Sequence, residues 1–297
     1  MKPLLLNPAR MALMVPDILG GLLFSGSKGR EDPFAGNGDC LLMDAAHGLV
    51  GVADGSDRSP EASREFLQGI SKRMNGCVEE SGEGRRRCFH AAVQGTLESF
   101  RYEERTTFVC LFSAGDGSLD YVCGGDSLLF HLDPSVARIR FRNRTNMGFA
   151  GRSRQIVDAG RLFFRKGDLA LLATDGVWDL TDGDSEALVR AFFQGLQCGP
   201  FHDMPERLTL ERHPAFRLGS IRPHDDFGVL LLDPFRLGDL PGRVLVGGTS
   251  GEVEFRYRQQ VHRGAVPDRY VPLAPGKRDL WVFPEDLSVL APDSIPA

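Results

Sequence analysis

The chain has 297 residues, 42% of them hydrophobic and 25% charged, a balance that fits a soluble globular protein with one sizeable core or two smaller ones. Its 35 Lys and Arg against 40 Asp and Glu leave a formal charge of −5, so there is no electrostatic case for nucleic acid or an anionic membrane as partner. Six cysteines (Cys40, Cys77, Cys88, Cys110, Cys123 and Cys198) form no C-x-x-C pair and read as reduced core residues of a cytoplasmic protein, not as a disulfide frame or a zinc site.

Residues 11–24 are apolar, but Pro16, Asp17, Gly20 and Gly21 interrupt them. The segment is too short and broken to span a bilayer, lacks a small-residue cleavage pattern, and reads as a weak opening strand. A polar, glycine-rich loop over residues 25–38 follows, and then two short apolar strands at 40–43 and 49–53. Paired as a hairpin, these strands bring Asp39 and Asp54 to the same sheet end. Ser59 and Pro60, followed by Glu61 and Glu65, predict a helix start with a hydroxyl N-cap, and the helix runs to about Met74. A second helix is predicted at about 86–101, with Phe89, Val93, Leu97 and Phe100 on one face.

Residues 106–112 are β-branched and aromatic, and residues 119–123 answer them as a hairpin. Gly124 and Gly125 suit a bulge before Asp126, and a strand resumes at 128–132. A basic loop spans 143–154, Gly160 is predicted to form a turn flanked by Ile156 and Leu162, and Lys166-Gly167-Asp168 turns the chain into the apolar run 169–173. That run stops at Thr174-Asp175-Gly176, as the run 49–53 stops at Asp54-Gly55. Either Asp-Gly pair alone is an ordinary tight turn. A helix is predicted at 185–197, capped within 181–184, and one short helix within 198–220. His224, Asp225 and Asp226 lead into the apolar strand 229–232, whose start lies beside the end of the strand carrying Asp175 if the two run antiparallel. From 234 onward proline and glycine are frequent; short strands at 243–246 and 253–257 and an apolar patch around Trp281 read as a small β-rich extension.

Asp39, Asp54, Asp175 and Asp225, with Asp126 close behind, thus all fall at strand ends, and carboxylates converging in this way repel strongly unless something compensates them. Oxygen ligands without His or Cys at ligand spacing point to a hard ion, Mg²⁺ or Mn²⁺, over zinc. Two such ions about 3.5–4 Å apart bridge a water, lower its pKa and aim it at phosphorus.

The series Gly38-Asp39, Val52-Ala53-Asp54-Gly55, Thr106-Thr107, Gly125-Asp126-Ser127, Ala173-Thr174-Asp175-Gly176-Val177-Trp178 and Asp225-Asp226-Phe227-Gly228-Val229 resembles the metal-dependent protein phosphatases (PPM, type 2C) over roughly residues 20–233. The resemblance implies an α+β fold, a four-layer α-β-β-α sandwich of two mostly antiparallel sheets flanked by helices. It implies a phosphatase domain at 1–233 and a C-terminal β-rich extension at 234–297. It also implies that Asp54 bridges two metals, that the Gly55 carbonyl ligates one, and that Asp175 and Asp225 complete the other's shell. Asp39 then holds metal-bound water, and Asp126 helps to hold a third, looser ion. The implied activity is removal of phosphate from phospho-Ser or phospho-Thr of a protein by metal-bound hydroxide without a covalent phosphoenzyme, and no Cys stands in a C-x5-R motif.

The chain also departs from that pattern. Gly38-Asp39 replaces the Glu-Asp of many members, and the phosphate-binding Arg is absent near Phe34, where Arg30 is the nearby candidate for a bidentate phosphate clamp. The Asp-His-Ser segment after Asp126-Ser127 is missing, and the loop at 143–154 is short. These features resemble the compact bacterial branch with sporulation-type and stress-response phosphatases, whose natural substrate is a phosphorylated regulatory protein. The rival reading is a catalytically weak or inactive scaffold that binds phosphoproteins through the same fold, and a small-molecule phosphatase is a third. Trp178 is expected in the core, without chemistry.

Overall fold

A computed structural model of the chain describes residues 10–24, 26, 37–56, 59–79, 81–101, 105–115, 117–148, 156–216, 224–239, 242–247, 252–257, 260–265 and 280–282. Its strands are β1 (Arg10–Val15), β2 (Leu19–Phe24), β3 (Asp39–Asp44), β4 (Leu49–Gly55), β5 (Thr106–Ser113), β6 (Ser118–Gly124), β7 (Leu128–Asp133), β8 (Arg138–Arg142), β9 (Asp158–Phe163), β10 (Leu169–Ala173) and β11 (Phe227–Leu232). After these come β12 (Gly242–Gly247), β13 (Glu252–Tyr257), β14 (Gln260–Ala265) and β15 (Leu280–Val282). The helices are α1 (Ala62–Met74), α2 (Gly82–Ser99), α3 (Ser185–Gln197) and α4 (Met204–Arg212).

The strands form two sheets, in the orders β15-β1-β2-β11-β10-β7-β8 and β14-β13-β12-β3-β4-β5-β6-β9. All pairings are antiparallel except that of β1 with β15. The core divides into three layers. Leu41, Val52, Val109, Leu129, Leu172 and Leu230 meet between the two sheets. Phe66, Ile70, Phe89 and Val93 of α1 and α2 pack on the outer face of the second sheet, against Leu42, Phe108 and Phe112. Leu188, Phe192 and Leu208 of α3 and α4 cover the first sheet through Phe130, Leu171 and Leu231. The fold is therefore the expected α-β-β-α sandwich. In the central strands, such as β4, β5, β10 and β11, inward-facing side chains lie on alternate positions and the opposite positions are buried again under helices, so these strands read as nearly continuous apolar runs.

Several local expectations need correction. Ser59 does not cap α1: the helix begins at Ala62, the cap position is Glu61 with no side-chain bond, and Ser59 Oγ instead accepts from the Arg105 backbone N–H at 2.8 Å. Tying down the start of β5 outweighs the local capping preference. Helix α2 starts earlier than predicted, at Gly82, because Ser81 Oγ accepts from Gly84 N–H at 3.0 Å and supplies the cap. Gly160 forms no turn; it lies inside β9 opposite Tyr121, whose ring occupies the space a Cβ would need. Cys77 and Cys88 are not reduced core residues. They form a disulfide, with Cα atoms 6.0 Å apart, because the connection between α1 and α2 brings them face to face. Cys40, Cys110 and Cys123 are buried, whereas Cys198 is exposed.

Among the described residues no helix is long and apolar enough to cross a membrane. Strands that follow residue 234 extend both sheets: β12 pairs with β3, and β15 with β1.

Candidate metal centre

The hairpin of β3 and β4 places Asp39 directly opposite Asp54. Strand β5 continues the ladder, with Thr107 opposite Asp54 and Thr106 opposite Gly55. In the other sheet Ala173, at the end of β10, pairs with Val229 near the start of β11, so that Asp175 and Asp225 leave the sheet at one end. A 3-10 turn, Asp175–Leu180, begins there with Thr174 as its first cap. Because the sheets face each other, these strand ends meet.

Asp39 is buried to 1% exposure. Its Oδ2 accepts from Thr174 Oγ1 at 2.6 Å, a bond that crosses from one sheet to the other. Thr174 is fixed in turn by Gly228 N–H, which donates to Thr174 Oγ1 at 2.9 Å, and by its own N–H, which donates to the Gly228 carbonyl at 2.9 Å. The other oxygen of Asp39, Oδ1, is buried without a hydrogen-bond partner, as is Oδ1 of Asp126. Burial holds the Asp39 carboxyl well above the usual carboxylate range, and repulsion from Asp54, Asp226 and Asp175 adds to it against the lowering bond from Thr174. Asp54 is raised in the same way, by burial first and then by Asp175, Asp225, Asp126 and Asp226. Asp126 is raised by burial, with a smaller contribution from Asp225. Asp54 thus stands among like charges from Asp126, Asp175, Asp225 and Asp226, and Asp39 among those of Asp54, Asp175 and Asp226.

Backbone packing at this end is close. Gly55 N–H donates to the Gly38 carbonyl at 2.9 Å, and Ser63 Oγ donates to the same oxygen at 2.6 Å. A Cβ on Gly176 would stand 1.9 Å from the Asp226 carbonyl oxygen, so the turn after Asp175 admits only glycine. Asp225 N–H donates to Asp179 Oδ2 at 3.1 Å, which anchors the approach to β11. Arg30 lies outside the described residues.

Among the described residues no three His, Cys, Asp or Glu side chains stand in a ready metal-holding arrangement. The donor chemistry nevertheless fits a hard divalent cation: every group is an oxygen, two buried carboxylate oxygens lack partners, and mutual repulsion is what a cation would relieve. Sequence reasoning assigned no role to Thr174, Asp179 or Asp226, which hold the set in place. Asp226 stood within the quoted Asp-Asp motif, but no periodicity distinguishes a buried acceptor from a ligand.

No family sequence model matches the chain, and no curated protein matches it in sequence. Solved structures do match. The PPM Ser-Thr phosphatase MsPP of Mycobacterium smegmatis, in complex with cacodylate, is 19% identical with a TM-score of 0.52, covering 74% of this chain and 99% of that one. The fold is that of the PPM phosphatases. The catalytic domain of the serine/threonine phosphatase PstP, in complex with two manganese ions, shares the PPM fold at 18% identity and a TM-score of 0.52, over 73% of this chain and 98% of that one. A bacterial serine phosphatase bearing an R161A mutation matches at 16% identity and a TM-score of 0.56, over 73% and 98% of the two chains. At these identities the likeness concerns the PPM fold itself; the chemistry rests on the residues.

Proposed function

We propose that this chain is a Mg²⁺- or Mn²⁺-dependent phosphatase acting on phosphoserine or phosphothreonine of a protein. The observation that carries the reading is the convergence of strand ends at one end of a PPM-type sandwich, where Asp39 stands opposite Asp54 and the β10-β11 pair delivers Asp175 and Asp225. A binding module that used the fold as a scaffold has no need to gather buried like charges, which cost stability when uncompensated.

In this reading Asp54, the Gly55 carbonyl, Asp175 and Asp225 hold two cations, and Asp126 contributes to a third. The cations, when bound, supply Lewis-acid activation of water and neutralise charge on the phosphoryl oxygens. Asp39 orients the attacking water through the oxygen that Thr174 leaves unengaged, and the Thr174 bond keeps that carboxylate from turning away. The bonds from Thr174 to Asp39 and from the Asp225 backbone to Asp179 hold these strand ends in place, so they need little reorganisation during the reaction. Arg30 is proposed to clamp the phosphate. No cysteine is assigned a covalent role: Cys40, Cys110 and Cys123 are buried, and burial pushes the thiols of Cys110 and Cys123 far from the reactive range.

The substrate is proposed to be a phosphorylated regulatory protein. The purified chain is expected to hydrolyse a phosphothreonine peptide or p-nitrophenyl phosphate with Mn²⁺ and to fall silent with EDTA. Asp54→Asn and Asp175→Asn should each lower kcat/KM by more than about 100-fold, since loss of a mere outer-shell partner costs 10–100-fold. A folded protein inactive on several phosphopeptides with Mn²⁺ would instead favour the scaffold.

A further inference from the structure

Asp226 is buried to 8% exposure and uses both carboxylate oxygens on backbone donors. Its Oδ1 accepts from Gly26 N–H and its Oδ2 from Gly38 N–H, each at 2.6 Å. Gly26 lies just beyond β2, Gly38 immediately precedes Asp39, and Asp226 follows Asp225 at the entrance to β11. One side chain thus joins three segments, the two bonds spanning 200 and 188 residues of sequence.

The join has little slack. A Cβ on Gly26 would come 2.2 Å from the carbonyl carbon of Asp225, and one on Gly38 would come 2.7 Å from the carbonyl oxygen of Gly55. Gly38 is held from its other side as well, since its carbonyl accepts from Gly55 N–H and Ser63 Oγ. Movement of Gly38 therefore moves Asp39 and Gly55 together, and their distance from Asp225 depends on what grips the Gly38 N–H. Asp226 adds its own charge to the repulsion felt by Asp39 and Asp54. A buried carboxylate satisfied by two N–H donors is matched to this task, because each of its oxygens accepts and neither donates.

We propose that Asp226 is a positioning residue of the metal centre, setting the spacing between Asp39 and Gly55 in one sheet and Asp225 in the other. The inference rests on the phosphatase reading. It is tested by titrating Mn²⁺ into the full chain calorimetrically, alongside thermal unfolding and steady-state kinetics, for wild type, Asp226→Ala, Asp226→Asn and Asp44→Asn. Asp226→Ala should lose at least 10-fold in Mn²⁺ affinity, with activity partly rescued by excess Mn²⁺. Asp226→Asn keeps one acceptor oxygen and should fall between it and wild type; if the alanine variant does not fold, the asparagine variant is decisive.

Asp44 is the control for buried acids in general. At the far end of β3 its Oδ2 accepts from Ser71 Oγ at 2.6 Å and pairs with His47 at 2.8 Å. Asp44→Asn should lower the melting temperature and leave Mn²⁺ affinity unchanged. Wild-type Mn²⁺ affinity in the folded Asp226 variants, or an equal loss in Asp44→Asn, overturns the inference alone. A wild-type chain that binds no Mn²⁺ overturns the phosphatase reading and this inference with it.

Discussion

Gly38 stands where the resemblance seen in the sequence leads one to expect a glutamate, and packing accounts for its bare backbone: a Cβ would meet the Gly55 carbonyl oxygen at 2.7 Å and Asp226 Oδ2 at 3.1 Å. The departure from the usual motif is thus accommodated locally, which weakens it as a sign of decay. Gly38→Ala should destabilise the protein by about 1–3 kcal/mol, the usual range for forcing a methyl group into a filled space. It should also weaken Mn²⁺ binding, because the methyl pushes against the oxygen proposed as a ligand; chemical denaturation and a Mn²⁺ titration check the two effects separately. Thr174 shows the limit of reading such residues from sequence. It stood in a recognisable Thr-Asp-Gly turn, yet its bond to Asp39 spans 135 residues and becomes visible only when the sheets are stacked.

Elements with strong local signals were legible before any coordinates. Helix α3 occupies the predicted span because Asp184 accepts from the N–H groups of Glu186 and Ala187 and an apolar face follows at helical spacing. The β3-β4 hairpin, with Asp39 opposite Asp54, followed from two apolar runs separated by a short turn. Strand β8 is not among the predicted elements, although its alternation of Arg138, Arg140 and Arg142 with Ile139 and Phe141 has the period of a half-buried strand, and β7 pairs with it. The start of α1 was misplaced: a Ser-Pro pair signals a cap locally, but Ser59 is engaged by Arg105 from a distant segment. The disulfide between Cys77 and Cys88 was not legible either, since pairing depends on how α1 and α2 approach each other.

At the scale of the whole molecule, the sandwich brings the ends of two sheets together and accumulates negative charge where they meet. Asp39 and Asp54 have folded-state pKa values raised above the unfolded value of about 3.9. Their contribution to stability is therefore fully present below that pH and is lost as pH rises through the raised values. The metal-free protein should lose stability across this window on going toward neutrality, and Asp54→Asn should lose less. Mn²⁺ at 100 times its dissociation constant should restore about 2.7 kcal/mol to wild type at pH 7, or roughly 5–10 °C in melting temperature. An EDTA-treated wild type whose melting temperature falls toward pH 7 no more than that of Asp54→Asn would count against the charge cluster. The location of the cations themselves is tested most directly by an anomalous-difference map at the manganese edge, from crystals of the full chain grown with Mn²⁺. The account predicts two peaks about 3.5–4 Å apart, bridged by Asp54 and shared with Gly55, Asp175 and Asp225. An intact sandwich with no peak at these carboxylates, or with manganese bound only elsewhere, would contradict it.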